Sequence, residues 1–177
     1  MKILLLSGTR QVGKDSFQEV FPIKNNGVAF ANSLKLELTD ISRKMFNKDI
    51  FSLTPEEKEI FRPIMIAYGC AWREIDPLHW VKKIERKLNP SLLNIVLDFR
   101  FVNEGIYFKE KYPDVKIIHI TRDGAPEPTE EEKKNDPLVS EMADYHFHWL
   151  TLPNKEDRRK VVEKFLRENN FYSWVSE

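Results

Sequence analysis

Gly8-Thr9-Arg10-Gln11-Val12-Gly13-Lys14-Asp15-Ser16 sets two glycines ahead of a lysine, an aspartate and a serine, in the pattern G-x4-G-K. The main-chain amides of such a turn converge on phosphate oxygens. The N-terminus of a following helix adds to that pull. Glycine serves where the chain turns tightly and comes close to a ligand. Arg10, Gln11 and Val12 would line the turn, and Lys14 would reach the terminal phosphates of a nucleoside triphosphate. The Ser or Thr that commonly follows the lysine, a magnesium ligand, is Asp15 here, with Ser16 next. The plain alternative is a glycine-containing strand-to-helix turn that binds nothing. An apolar run before the turn and a helical stretch after it favour the nucleotide site.

The elements that must position this turn follow from the apolar pattern. Lys2 to Ser7 is a continuous apolar run, as expected of a strand covered on both faces. Val28–Ala31, Leu93–Asp98 and Val115–Thr121 are further strand candidates. Tyr145–Leu150 alternates and reads as an edge strand. Helical spacing of Leu34, Leu38, Ile41 and Met45 follows Asn32-Ser33, two good caps. Thr54-Pro55-Glu56-Glu57 is a capping box with proline at the first helical position. Pro63 kinks that helix or opens another. Asp76-Pro77 opens a helix to about Leu88, and Lys155 to Glu168 carries Val161, Val162, Phe165 and Leu166 on one face. Strands alternating with helices predict a mostly parallel five-stranded sheet in one α/β domain. Residues 123–139 hold three prolines and an acidic run, and read as an exposed mobile loop.

Composition narrows the partners. Lys+Arg and Asp+Glu number 28 each, so no broad electrostatic grip on nucleic acid is expected, although a local basic patch stays open. The same balance argues against a polybasic membrane anchor. The single cysteine, Cys70, excludes an internal disulfide and reads as a small buried residue. Ile3 to Leu6 is too short for a signal peptide or a membrane span, so a cytoplasmic protein is expected, and a homodimer is compatible with it.

A rival motif lies near the C-terminal end. Asn154-Lys155-Glu156-Asp157 fits the N-K-x-D guanine motif of GTPases. A GTPase also needs D-x-x-G to sense the γ-phosphate, and Asp98-Phe99-Arg100-Phe101 lacks the glycine. Asn154 serves equally well as a helix cap.

The turn "SGTRQVGKDS" resembles that of the phage-type deoxynucleoside monophosphate kinases, and a similar one occurs in the animal phosphomevalonate kinases. The resemblance runs at motif level from Lys2 to about Leu166, through "FANSLK", "FRPIMIAYGCAWREIDPLHWVKKI", "VLDFR" and "IHITRDG". It implies a three-layer P-loop kinase fold with helices on both faces of the sheet, ATP as donor, Mg2+ and a nucleotide acceptor. It implies further that Asp15 lies near magnesium and the transferred phosphoryl group, and that Lys35 faces the acceptor phosphate. Residues 32–88 would form the acceptor-site helices. Arg122 would lead into a lid over 123–139, and Asn154 would lie near the donor base. The Gln usual before the acceptor-site glycine is absent from Ile66-Ala67-Tyr68-Gly69, and the lid carries Lys133 and Lys134 in place of arginines.

Physical chemistry supports the same residues. A phosphotransferase must neutralise two anions and hold them in line. Arginine's planar fork grips phosphate bidentately. Arg62, Arg73 and Arg100 are candidate acceptor clamps, and Arg10 and Arg122 candidates for the donor side or the transition state. Asp98 ends a strand, where open α/β sheets bind ligands, and would hold magnesium through water or orient the acceptor. The metal candidates are therefore Asp15, Ser16 and Asp98. Tyr68, Trp72 and Trp80 either stack a base or fill core. His119, His146 and His148 read as structural. Phosphomevalonate, a hydroxymethylated pyrimidine nucleotide or a DNA base are alternative acceptors. A degenerate kinase fold serving as a scaffold is the non-enzymatic alternative.

Overall fold

A computed structural model describes residues 1–150 and 154–176. Its contacts divide the chain into two compact units, one made of Met1–Val28 with the chain from Leu88 onward, the other of Ala29–Lys87.

The first unit is built on five strands: β1 (Ile3–Ser7), β2 (Asn25–Val28), β3 (Leu93–Val96), β4 (Val115–Arg122) and β5 (Tyr145–Trp149). They lie in the order β2-β3-β1-β4-β5 and every pairing is parallel. Helices α1 (Lys14–Glu19), α5 (Val102–Lys111), α6 (Glu130–Glu141), α7 (Lys155–Glu168) and α8 (Phe171–Ser176) belong to this unit. β1 is central and wholly buried, which is why its sequence is uniformly apolar. Leu4 and Leu6 pack with Phe17 of α1, Val162 and Leu166 of α7 and Phe171 of α8. Ile3 and Leu5 point to the opposite face, since side chains alternate along a strand, and α6 packs on β1 from there. The expected three-layer α/β fold, helices on both faces of a five-stranded sheet, is therefore present. Each fully buried leucine or isoleucine of β1 stabilises it by about 1.5–3 kcal/mol.

Two expectations need correction here. The second strand is Asn25–Val28, not Val28–Ala31. Its sequence is poor in strand formers; it is held by the β3 ladder, with Val28 opposite Val96, and by Asn26 Nδ2 donating to Asn94 Oδ1 at 2.8 Å. The segment 123–139 is not a loop throughout. Its second half is α6, opened by Thr129, whose hydroxyl accepts from the Glu132 N–H while the Glu132 carboxylate accepts from the Thr129 N–H. That reciprocal cap outweighs the low apolar content and Pro137 inside the helix.

The second unit is helical: α2 (Phe30–Phe46), a 3-10 turn at Ile50–Ser52, α3 (Pro55–Ile75) and α4 (His79–Glu85). Its core gathers Leu38, Ile50, Leu53 and Phe61. The capping box at Thr54 and Glu57 is formed as expected, and Pro63 lies inside α3. Asn32 and Ser33 are not caps: α2 starts earlier, after Ala29, and both fall in its first turn. α4 starts at His79, later than expected, because Asp76 Oδ1 accepts from the Leu78 N–H in a turn ahead of it. Cys70 is exposed rather than buried, since it stands one step round α3 from buried Gly69. Among the described residues, no helix is long and apolar enough to cross a membrane.

Candidate functional site

The turn between β1 and α1 is held in an unusual backbone form. Gly8, Gln11 and Gly13 have φ of 122°, 58° and 96°. A Cβ on Gly8 would stand 2.1 Å from the Ile120 carbonyl oxygen, and one on Gly13 would stand 2.6 Å from Trp149 Nε1. Only glycine meets both the dihedral and the space at these positions. Val12 is buried in the main core cluster and pins the middle of the turn. The Gly13 carbonyl accepts from the Phe17 N–H at 2.9 Å and from Trp149 Nε1 at 3.1 Å, which fixes the start of α1 against the end of β5.

Lys14 folds back over the turn. Its Nζ donates to the carbonyls of Gly8 at 2.5 Å and Thr9 at 2.7 Å. Burial, and secondarily the Arg100 charge, lower its pKa to about 8, against the pull of Asp98, Glu132 and Asp136. Asp98 and Arg100 thus both act on the Lys14 charge. Arg100 Nη1 donates to Glu132 Oε1 at 3.0 Å. The Arg10 main-chain N–H, inside the turn, also favours the Glu132 charge. Burial opposes its charge, but the Thr129 N–H, the Arg100 charge and the Arg10 N–H prevail and hold its pKa below the ordinary carboxylate value. Arg10 Nε is buried without a hydrogen-bond partner.

Behind the turn, Ser7 Oγ lies 3.0 Å from His119 Nδ1, and His119 Nε2 lies 3.6 Å from Asp136 Oδ2. Burial lowers the His119 pKa and raises that of Asp136. The structural reading of His119 is consistent with these contacts. His148 bonds Thr121 Oγ1 at 3.0 Å and lies 3.5 Å from Asp123.

The other sequence candidates take varied positions. Asp15 is exposed and Ser16 half-buried in the first turn of α1, and Arg122 is exposed at the end of β4. Asn154 caps α7, its Oδ1 accepting from the Asp157 N–H at 2.8 Å and its Nδ2 donating to Asp157 Oδ2 at 2.7 Å. The cap thus accounts for the Asn and Asp of the N-K-x-D pattern. Lys155 pairs with Glu19 at 2.9 Å.

In the helical unit, Arg62 pairs with Glu59 at 2.7 Å on α3. Arg73 sits about 16 Å further along the same helix, at ~1.5 Å rise per residue. Its guanidinium lies over Gly69, 3.5 Å from where a Cβ would be. Trp72 stacks on His79 with centroids 4.0 Å apart and planes 12° apart. Lys35 Nζ lies 5.7 Å from the Phe51 ring centroid. Trp80 is core, its indole N–H donating to the Gly69 carbonyl at 3.1 Å. Tyr68 Oη donates to Glu37 at 2.8 Å, and Lys83 also bonds Glu37.

No family model and no curated protein matches the chain. Among solved structures, the dephospho-CoA kinase from Campylobacter jejuni is similar along 94% of this chain and 96% of its own, with 14% identity and a TM-score of 0.36.

Sequence reasoning missed Glu132, Asp136 and Trp149. Thr129-x-x-Glu132 is a capping-box signature and signals α6 on its own. Nothing local signals that Glu132 meets Arg100, or that Trp149 closes on Gly13, because those contacts join distant parts of the chain.

Proposed function

We propose that this protein is a magnesium-dependent phosphotransferase moving the γ-phosphoryl group of ATP to a deoxynucleoside 5′-monophosphate. The observation that carries the reading is Lys14 on a glycine-restricted turn with Asp98 and Arg100 in its field. The turn offers main-chain N–H groups and a buried, unpartnered Arg10 Nε to an incoming anion. An ionised phosphate oxygen attacks without a strong base, so the protein's work is positioning and charge neutralisation. Lys14 would exchange its two carbonyl partners for the β- and γ-phosphates. Arg100 would exchange Glu132 for phosphoryl oxygens, and Arg10 and Arg122 would serve the donor side.

The donor set fits magnesium. That ion commonly takes one or two carboxylates, substrate phosphates and waters, so no cluster of three acidic side chains is needed. Asp98, Asp15 and Ser16 would hold it, and its charge would offset that of the phosphates. In the helical unit, Arg73 and the flat Trp72–His79 pair suit an acceptor phosphate and its base, with Lys35 and Arg62 as further cations.

The test is a coupled ADP-release screen of the full chain. Common dNMPs, hydroxymethylated pyrimidine nucleotides and phosphomevalonate are each offered with ATP or GTP. One dNMP should drive turnover, and Lys14→Ala should cut it by about 10²–10³-fold or more. Turnover unchanged in Lys14→Ala rejects the site. ADP release driven by phosphomevalonate alone keeps the chemistry and replaces the acceptor.

A further inference from the structure

Helix α6 meets the phosphate turn with a carboxylate. Glu132 is 6% exposed, yet it lies in a short helix whose only other buried residue is Val139. Its two oxygens do different jobs. Oε2 completes the helix cap, accepting from the Thr129 N–H at 3.0 Å and its hydroxyl at 3.2 Å. Oε1 reaches outward to Arg100 at 3.0 Å. A carboxylate thus sits on a guanidinium that an anionic ligand would use.

A second contact works the same way. Asp136, one helical turn further on, faces His119 at 3.6 Å, and its charge also acts on Lys14. Gly8, Arg100, Glu132 and Asp136 line one cavity with Asn135 and Val139. Part of the grip of α6 is thus polar and lies in the cavity beside Gly8, and Val139 is its one buried apolar side chain. Segments with few buried apolar contacts are the ones that open most readily.

We propose that α6 is a built-in competitor for the phosphate site: Glu132 occupies Arg100 beside the turn until a polyphosphate displaces it, so that ligand binding releases the helix. This rests on the phosphate-binding reading above and adds a regulatory device to it. Binding then carries the cost of breaking the Glu132 contacts, and the free protein is protected from weak anions.

The probe is inorganic tripolyphosphate with magnesium, titrated calorimetrically into the full-length wild type, Glu132→Gln and Lys14→Ala. Glutamine keeps an oxygen for the Thr129 cap but loses the charge that holds Arg100. A hydrogen bond to a charged group is worth ~1.5–3 kcal/mol, so Glu132→Gln should bind about tenfold tighter or more. Hydrogen exchange on the wild type gives a second readout independent of any variant. The amides of α6 should exchange faster when tripolyphosphate saturates the protein. Equal or weaker binding by a folded Glu132→Gln overturns the inference, as does slower exchange of α6 with ligand. Lys14-dependent binding with either of those results leaves the phosphate site standing. Binding by neither wild type nor Glu132→Gln overturns the phosphate site, and this inference with it.

Discussion

Lys14 carries a proton whose loss is set by its surroundings. Burial comes first among the causes that lower its pKa to about 8, and Arg100 adds to it. Below pH 8 the folded protein holds an ammonium there; above it the amine is neutral, while an unfolded lysine stays charged to about pH 10.4. The unfolded state therefore binds more protons between those values, and stability contributed by this group rises with pH across that window. Ligand affinity moves the other way. A polyphosphate favours the charged amine, so binding above pH 8 must take up a proton. Calorimetric titration of ATP at pH 7, 8 and 9 should show a Kd that is flat at first and then weakens, by up to about tenfold per pH unit. Lys14→Arg, charged throughout, should flatten that slope. A Kd independent of pH in the wild type would mean that the amine does not face the phosphates.

At the scale of elements, local signals explain what was legible. The β1 run, the alternation in β5 and the caps of α3 and α7 each act within a few residues, and each forms where the sequence places it. The strand β2 was misplaced because Asn25-Asn26-Gly27 has little strand preference and depends on β3 for its shape. The glycine turn was legible because its constraint is local. The pairing of Arg100 with Glu132 was not, because it joins residues 32 apart in sequence. Capping energy can be measured directly on α3. Thr54 Oγ1 accepts from the Glu57 N–H, and Glu57 Oε2 accepts from the Thr54 N–H at 2.8 Å. Thr54→Ala should lower stability by ~1 kcal/mol, within a usual range of ~0.5–2. Urea unfolding followed by circular dichroism reads this as a lower midpoint with an unchanged slope. Thr54→Ser should recover most of the loss, and an unaffected midpoint in Thr54→Ala would show that the box adds nothing.

At the scale of the molecule, the 28 positive and 28 negative side chains cancel, so no long-range field gathers anionic ligands. Affinity has to come from the turn and the charges around it, where burial keeps salt from screening them. A ligand bound only by the folded chain then stabilises the whole unit that carries the turn, by mass action. At 100 times its Kd the gain is ~2.7 kcal/mol. For a chain of this length that corresponds to roughly 5–10 °C in Tm, at ~2–4 °C per kcal/mol. Differential scanning calorimetry with ATP and magnesium should show this shift in the transition of the sheet unit. Two compact units also allow two transitions, and calorimetry separates them where a single optical probe does not. The shift should persist at 0.3 M salt, since the grip is local, and disappear in Lys14→Ala. A shift that salt abolishes, or that Lys14→Ala retains, would place the ATP on the outer surface instead of the glycine turn.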